Sequence, residues 1–327
     1  MLVPGYVHRR GIHCGSTSMR NALAFLGGEY REEDLFGLGE GLSFIYVDAQ
    51  PVPPGVAIHG RSLDLEVVLA RRFELQVEVT KTSDPEEALR DAENILQEGR
   101  PLIITTDIAH LDYFDSSTHF AGHVVVLVGK NEDGTYLISD SEFPDLQKVS
   151  RESLLRARNS DLPPYGIPNL AIALSGKPKN LSPQDWIDAV VSCGERHLFP
   201  GDPLKGIPGM LRAAADMPRW GEMTETPEFA ARFAYQVIEK RGTGGGFFRR
   251  MYARFLAGCA RATGRDAFSN LAKEMEKIAD LWSDLAGNLK EASQDFSPEK
   301  MKICGEKLGE IAVREERFFK EALLLFT

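Results

Sequence analysis

HVVVLVGKNEDGTYLISDS, residues 123–141, reads as a β-hairpin. HVVVLVGK is an apolar run of strand length, TYLISDS alternates, and NEDG between them is a turn in which Asp133 and Gly134 supply positive φ angles. PLIITTDI at 101–108 forms a neighbouring strand, and PNLAIALSG at 168–176 ends the β-rich part. A hairpin centred near residues 132 and 133 sets His123, which opens one strand, nearly opposite Asp140, which closes the other. Allowing for a slip of about two residues, a cross-strand pair has Cβ atoms roughly 5 Å apart. Alone, each residue has a plain structural use, as a strand-start histidine and a turn-forming aspartate. Together they supply a base and the carboxylate that orients it, which is what a thiol or hydroxyl nucleophile requires.

The nucleophile is sought upstream, in GIHCGSTSMRNALAFLGG at 11–28. Met19, Leu23 and Leu26 recur at helical spacing with Ala22 beside them, Ser16 or Thr17 is suited to capping, and Gly27 and Gly28 end the run. Cys14 thus stands at a helix start, where the peptide dipoles favour the reactive thiolate. Cys14, His123 and Asp140 are the expected catalytic triad.

Other motifs carry less. Gly37, Gly39 and Gly41 resemble a phosphate cradle, but they leave a helix and enter a strand, the reverse of a dinucleotide loop, so their expected role is close packing near the cysteine helix. His110, His119 and His123 with Asp107, Asp112 and Asp115 lack HExxH spacing and paired thiols, so no metal centre is expected, and no cofactor. Cys14, Cys193, Cys259 and Cys304 stand far apart without a CxxC pair, as suits reduced thiols.

The sequence has 327 residues with 43% hydrophobic content, enough for a substantial core and two domains. Thirty-eight basic against 48 acidic residues give a net charge of -10, which argues against a nucleic-acid partner. Apolar runs are too short to span a bilayer and the first residues do not read as a secretory signal, so no membrane partner and a cytoplasmic location are expected. KPKNLSPQD at 177–185 is the expected linker. Beyond it the periodicity is helical, with Leu271, Met275, Ile278, Trp282, Leu285 and Leu289 forming one buried face. The expected fold is α+β over 1–177, an antiparallel sheet with a nucleophile helix, followed by an all-α helical bundle over 178–327.

The order of these residues resembles the papain-like, cysteine peptidase-like fold. More closely it resembles the butirosin biosynthesis protein H family, through HCGSTSMRNALAFLGG, LFGLGEGLSFIY, DIAHLDY, HFAGHVVVLVG and YLISDS, and in the second half through GIPGMLR and GTGGGFFRRMYARFL. The resemblance covers nearly the whole chain. It implies an acyltransferase of secondary metabolism, such as antibiotic biosynthesis, that takes an acyl group from an acyl carrier protein or other thioester donor onto Cys14 and passes it to a small-molecule amine acceptor. It also implies His123 as general base and acid and Asp140 as its orienter. Papain-like enzymes carry a glutamine shortly before the cysteine; GYVHRRGIH has none, so His8 or the backbone N–H of Cys14 is the expected oxyanion donor. Arg249, Arg250, Arg254, Arg261 and Arg265 are the expected basic patch for an acidic carrier. Two alternatives use the same residues: a peptidase or amidase with water as acceptor, and an inactive binding module.

Overall fold

The computed structural model describes residues 2–48, 53–163 and 166–326. In chain order its first elements are α1 (Cys14–Phe25), α2 (Glu32–Leu38), β1 (Leu42–Val47), β2 (Ala57–Arg61), α3 (Leu65–Arg72), β3 (Gln76–Thr80), α4 (Pro85–Gln97) and β4 (Leu102–Thr106). Then follow β5 (His123–Lys130), β6 (Tyr136–Ser139), β7 (Gln147–Val149), α5 (Arg151–Arg158) and β8 (Ala171–Ser175). The last are α6 (Pro183–Leu198), α7 (Gly206–Asp216), α8 (Trp220–Met223), α9 (Pro227–Glu239), α10 (Arg249–Thr263), α11 (Ala267–Ala292) and α12 (Pro298–Phe326). An antiparallel-sheet region is followed by a helical region, the α+β order expected.

The chain forms two compact units that do not follow a single cut in the sequence. One comprises Met1–Leu35 and Glu66–Asn180, the other Phe36–Leu65 and Leu181–Thr327. In the first, six antiparallel strands run in the order β3-β8-β4-β5-β6-β7. The seven residues His123–Gly129 of β5 are all buried, which explains the unbroken apolar run: a central strand covered on both faces has no polar side. Val125 and Leu127 join Leu89 and Ala92 of α4 and Leu154 and Ala157 of α5 in one core. On the helix α1, Ser18 donates its hydroxyl to the Val124 carbonyl at 3.2 Å.

The expected β5–β6 hairpin is present, with Leu127 opposite Ile138 and a register irregularity between Leu127 and Gly129. Its turn differs from expectation in one angle. Gly134 has φ +84 and Asp133 does not share the left-handed region; instead the Asp133 carboxylate accepts the Thr135 N–H at 3.0 Å, fixing the turn through its side chain.

The second unit holds the two-stranded β1–β2 sheet and α6–α12. Leu271, Met275, Ile278, Trp282, Leu285 and Leu289 are all buried, as their spacing predicted. Residues of the glycine-punctuated stretch belong to this unit: a Cβ on Gly37 would land in the Phe255 ring of α10. The close packing that Gly37 permits is therefore against α10, not the cysteine helix. β7 and α8, of three and four residues, are too short for a periodic pattern to show. Among the described residues no helix is long and apolar enough to cross a membrane.

Candidate active site

Cys14 is the first residue of α1. The cap is neither Ser16 nor Thr17 but His13, whose Nδ1 accepts the Ser16 N–H at 3.2 Å. The approach to the cysteine is pinned by Glu32, at the start of α2, which is buried. Its carboxylate accepts the backbone N–H of Ile12 at 3.0 Å and of His13 at 2.8 Å, and the Ser16 hydroxyl at 3.2 Å. One anion thereby satisfies the donors that a chain entering a helix leaves unpaired, and Arg20 Nη1 lies 3.7 Å from it.

Cys14 is half-buried, whereas Cys193, Cys259 and Cys304 are buried, and all four are free thiols. Burial pushes the Cys193 and Cys304 thiols up to about 12. Cys14 is thus the thiol with solvent access, the condition for attack on an external substrate.

The hairpin brings the other two predicted residues together. His123 Nε2 donates to Asp140 Oδ2 at 2.8 Å, with both side chains nearly inaccessible to solvent. The Cys14 side chain is a further hydrogen-bond partner of the ring, and with Nε2 given to Asp140 the nitrogen left for it is Nδ1. Burial alone would lower the basicity of His123; the Asp140 charge and hydrogen bond, with smaller contributions from Cys14, outweigh it and raise the pKa to about 10. Burial likewise opposes ionisation of Asp140, but the His123 charge and hydrogen bond, with the Glu142 N–H and Tyr113 hydroxyl, hold it below its ordinary value.

The relative position of the helix and the strands is fixed by polar contacts. Ser18 bonds to β5, and Asn21 Nδ2 reaches Ser139 Oγ of β6 at 3.4 Å and the Arg9 carbonyl at 3.0 Å. One helix face therefore joins the strand that begins at His123 and the strand that ends beside Asp140.

His8 is drawn into the same network. Its Nε2 donates to the Phe143 carbonyl at 3.0 Å, so Nδ1 accepts from Ser139 Oγ at 2.8 Å. Both ring nitrogens are engaged, which takes away the N–H that an oxyanion donor must offer. Ile12 and His13 N–H are given to Glu32.

Several residues of the site carry no recognisable motif. Tyr113 donates its hydroxyl to Asp140 Oδ2 at 2.9 Å, and the Glu142 N–H donates to Asp140 Oδ1 at 3.0 Å. Phe114 stands edge-on to the His123 ring, centroids 5.5 Å apart, and both Tyr113 and Phe143 flank it. The signal available was the aromatic pair in HLDYFD a few residues before His123. Two further histidines come together with an acid: Asp107, His110 and His119 place one ligand atom each within 4.8 Å of the others. Their spacing in sequence, which led to the expectation of no metal centre, does not reveal this proximity.

The expected basic patch is corrected at one position. Arg249 is fully buried, paired through Nη2 with Glu315 at 2.8 Å and lying over the Trp282 ring, so it is part of the core of its unit. Arg250 pairs with Asp280 at 3.0 Å, while Arg254, Arg261 and Arg265 are exposed.

A family model described as "Butirosin biosynthesis protein H, N-terminal" matches residues 13–141, which span Cys14, His123 and Asp140. A second, "Domain of unknown function (DUF4872)", matches residues 152–322, more than half of the chain. No curated protein matches the sequence.

Proposed function

Because the chain belongs to the family that joins a butirosin biosynthesis protein H amino-terminal domain to a second domain of unknown function, we propose that it is a biosynthetic enzyme, a cysteine-dependent acyltransferase. The observation that carries this reading is the chain of contacts from Cys14 to His123 to Asp140 at the start of a helix. A solvent-accessible thiol beside an imidazole whose far nitrogen is held by a buried carboxylate is the arrangement that generates a thiolate nucleophile.

In the first half-reaction the Cys14 thiolate attacks the carbonyl carbon of an acyl thioester borne by a carrier protein. The new carbon–sulfur bond forms as the carbonyl becomes an oxyanion, towards which, on this reading, the backbone N–H of Cys14 donates together with a second donor. Collapse breaks the bond to the carrier sulfur, and His123 gives its proton to that departing thiolate. In the second half-reaction a small-molecule amine attacks the acyl-Cys14 thioester, His123 takes the amine proton, and the Cys14 thiolate leaves. The products are the carrier thiol and an amide. Asp140 keeps the ring oriented and compensates its positive charge in both halves.

The test is to supply an acylated carrier protein with and without candidate amines, following carrier-thiol release and amide formation. Transfer predicts amide in proportion to thiol released when amine is present. Thiol release with free acid as product, indifferent to amine, would assign a hydrolase instead.

A further inference from the structure

Asp107 precedes the 3₁₀ turn Ile108–His110 and caps it, its Oδ1 accepting the Ala109 N–H at 3.2 Å and the Phe120 N–H at 2.9 Å. Its Oδ2 accepts from His119 Nδ1 at 2.8 Å and from Ser160 Oγ at 3.0 Å. His110, the last residue of this turn, brings a ring nitrogen within 4.8 Å of the Asp107 carboxylate. His119 arrives from the following loop, and the two imidazoles meet edge to face with centroids 5.4 Å apart. The carboxylate is buried, His110 is half-buried, and the His119 side chain is 51% exposed. The cluster is a buried acid at the base and two imidazoles at an accessible rim. His110 and Ser160 also line a cavity of about 360 Å³ with Asn159 and Asp161.

We propose that Asp107, His110 and His119 form a binding site for a divalent transition-metal ion of the zinc type. Two imidazoles and one carboxylate are a donor set that suits such ions, and three protein ligands leave a coordination position open. The acid already has the support that metal ligands need: two backbone N–H groups and a hydroxyl fix its plane. A tetrahedral ion with bonds of about 2.1 Å needs ligand atoms about 3.4 Å apart. The ligand atoms here all lie within 4.8 Å of one another, so modest rotation of the two imidazole side chains reaches that spacing. The bound ion ties the loop carrying His119 to the 3₁₀ turn. This site is independent of the Cys14 chemistry.

The test is a Zn²⁺ titration of the chelator-stripped full chain against a chromogenic competitor, with thermal melting in parallel. The expected result is one ion bound per chain and a higher melting temperature with Zn²⁺. In His110→Ala and His119→Ala the affinity falls by about tenfold or more and the melting shift is lost, while both are kept in Cys14→Ala. His119 also donates to the buried Asp107 carboxylate at 2.8 Å, so apo His119→Ala is expected to melt somewhat below the wild type, and the deciding readout is the additional shift on adding Zn²⁺. Failure of the wild type to compete for Zn²⁺, binding unchanged in both histidine variants, or binding lost in Cys14→Ala would each overturn the assignment.

Discussion

Tyr113 donates its hydroxyl to Oδ2 of Asp140 at 2.9 Å, the same oxygen that accepts His123 Nε2 at 2.8 Å. The carboxylate that orients the imidazole is therefore itself held in place by a phenol. Tyr113→Phe keeps the ring contacts with Phe114 and Phe143 and removes only the donor. A hydrogen bond to a charged group contributes about 1.5–3 kcal/mol, so a stability loss near the low end and about tenfold slower alkylation of Cys14 by iodoacetamide are expected. Denaturant unfolding and labelling rates measure both.

Glu32→Ala removes the acceptor shared by Ile12 N–H, His13 N–H and the Ser16 hydroxyl. Leaving buried donors unpaired costs on the order of 3 kcal/mol, and Cys14, one residue beyond His13, loses its fixed position. Glu32→Gln retains an acceptor oxygen and is expected to be milder in both unfolding and Cys14 labelling. Equal behaviour of the two variants would show that the loop is held by something else.

The pH dependence of stability has a defined sign. His123 has a folded pKa of about 10 against an ordinary 6.5, so its contribution is complete below the ordinary value and is lost as pH rises through the folded one. Asp140 lies below its ordinary value, so its contribution is present above the ordinary carboxylate range and fades as pH falls through the depressed one. The stability gap between wild type and Asp140→Asn is thus expected to be widest near about pH 5–6 and to shrink towards about pH 10. Unfolding titrations at a series of pH values measure the gap.

In the second unit, Glu315 accepts from Arg249 Nε and Nη2 at 2.8 Å each and from Trp282 Nε1 at 2.7 Å. Glu315→Ala leaves a buried guanidinium without its anion, at an expected cost of about 3–5 kcal/mol. Arg249→Met combined with Glu315→Gln removes the charge and keeps an acceptor for Trp282, so it is expected to recover most of that loss. A melting-temperature comparison of the single and double variants decides.

The sequence made the hairpin and the cysteine helix legible because both carry local signals: β5 is an unbroken apolar run buried along His123–Gly129, and α1 repeats Met19, Ala22 and Leu23 at helical spacing before Gly27 and Gly28. The His123–Asp140 contact followed from turn position alone. What was illegible depends on distant partners. Nothing local shows that Glu32 caps the Cys14 approach, that Arg249 turns inward to Glu315, or that Gly37 packs on Phe255. Nothing near His8 in sequence shows that its ring is engaged by Ser139 and Phe143, more than a hundred residues on.

The proposed transfer requires that Cys14 carry the acyl group. Incubation with an acyl-carrier thioester without acceptor amine, followed by intact-mass measurement, is the most direct test. One acyl adduct is expected on the wild type, located at Cys14 by peptide mapping, abolished in Cys14→Ala and greatly slowed in His123→Ala. A wild-type chain that stays unmodified while the thioester remains intact, or an adduct that persists in Cys14→Ala, would contradict it.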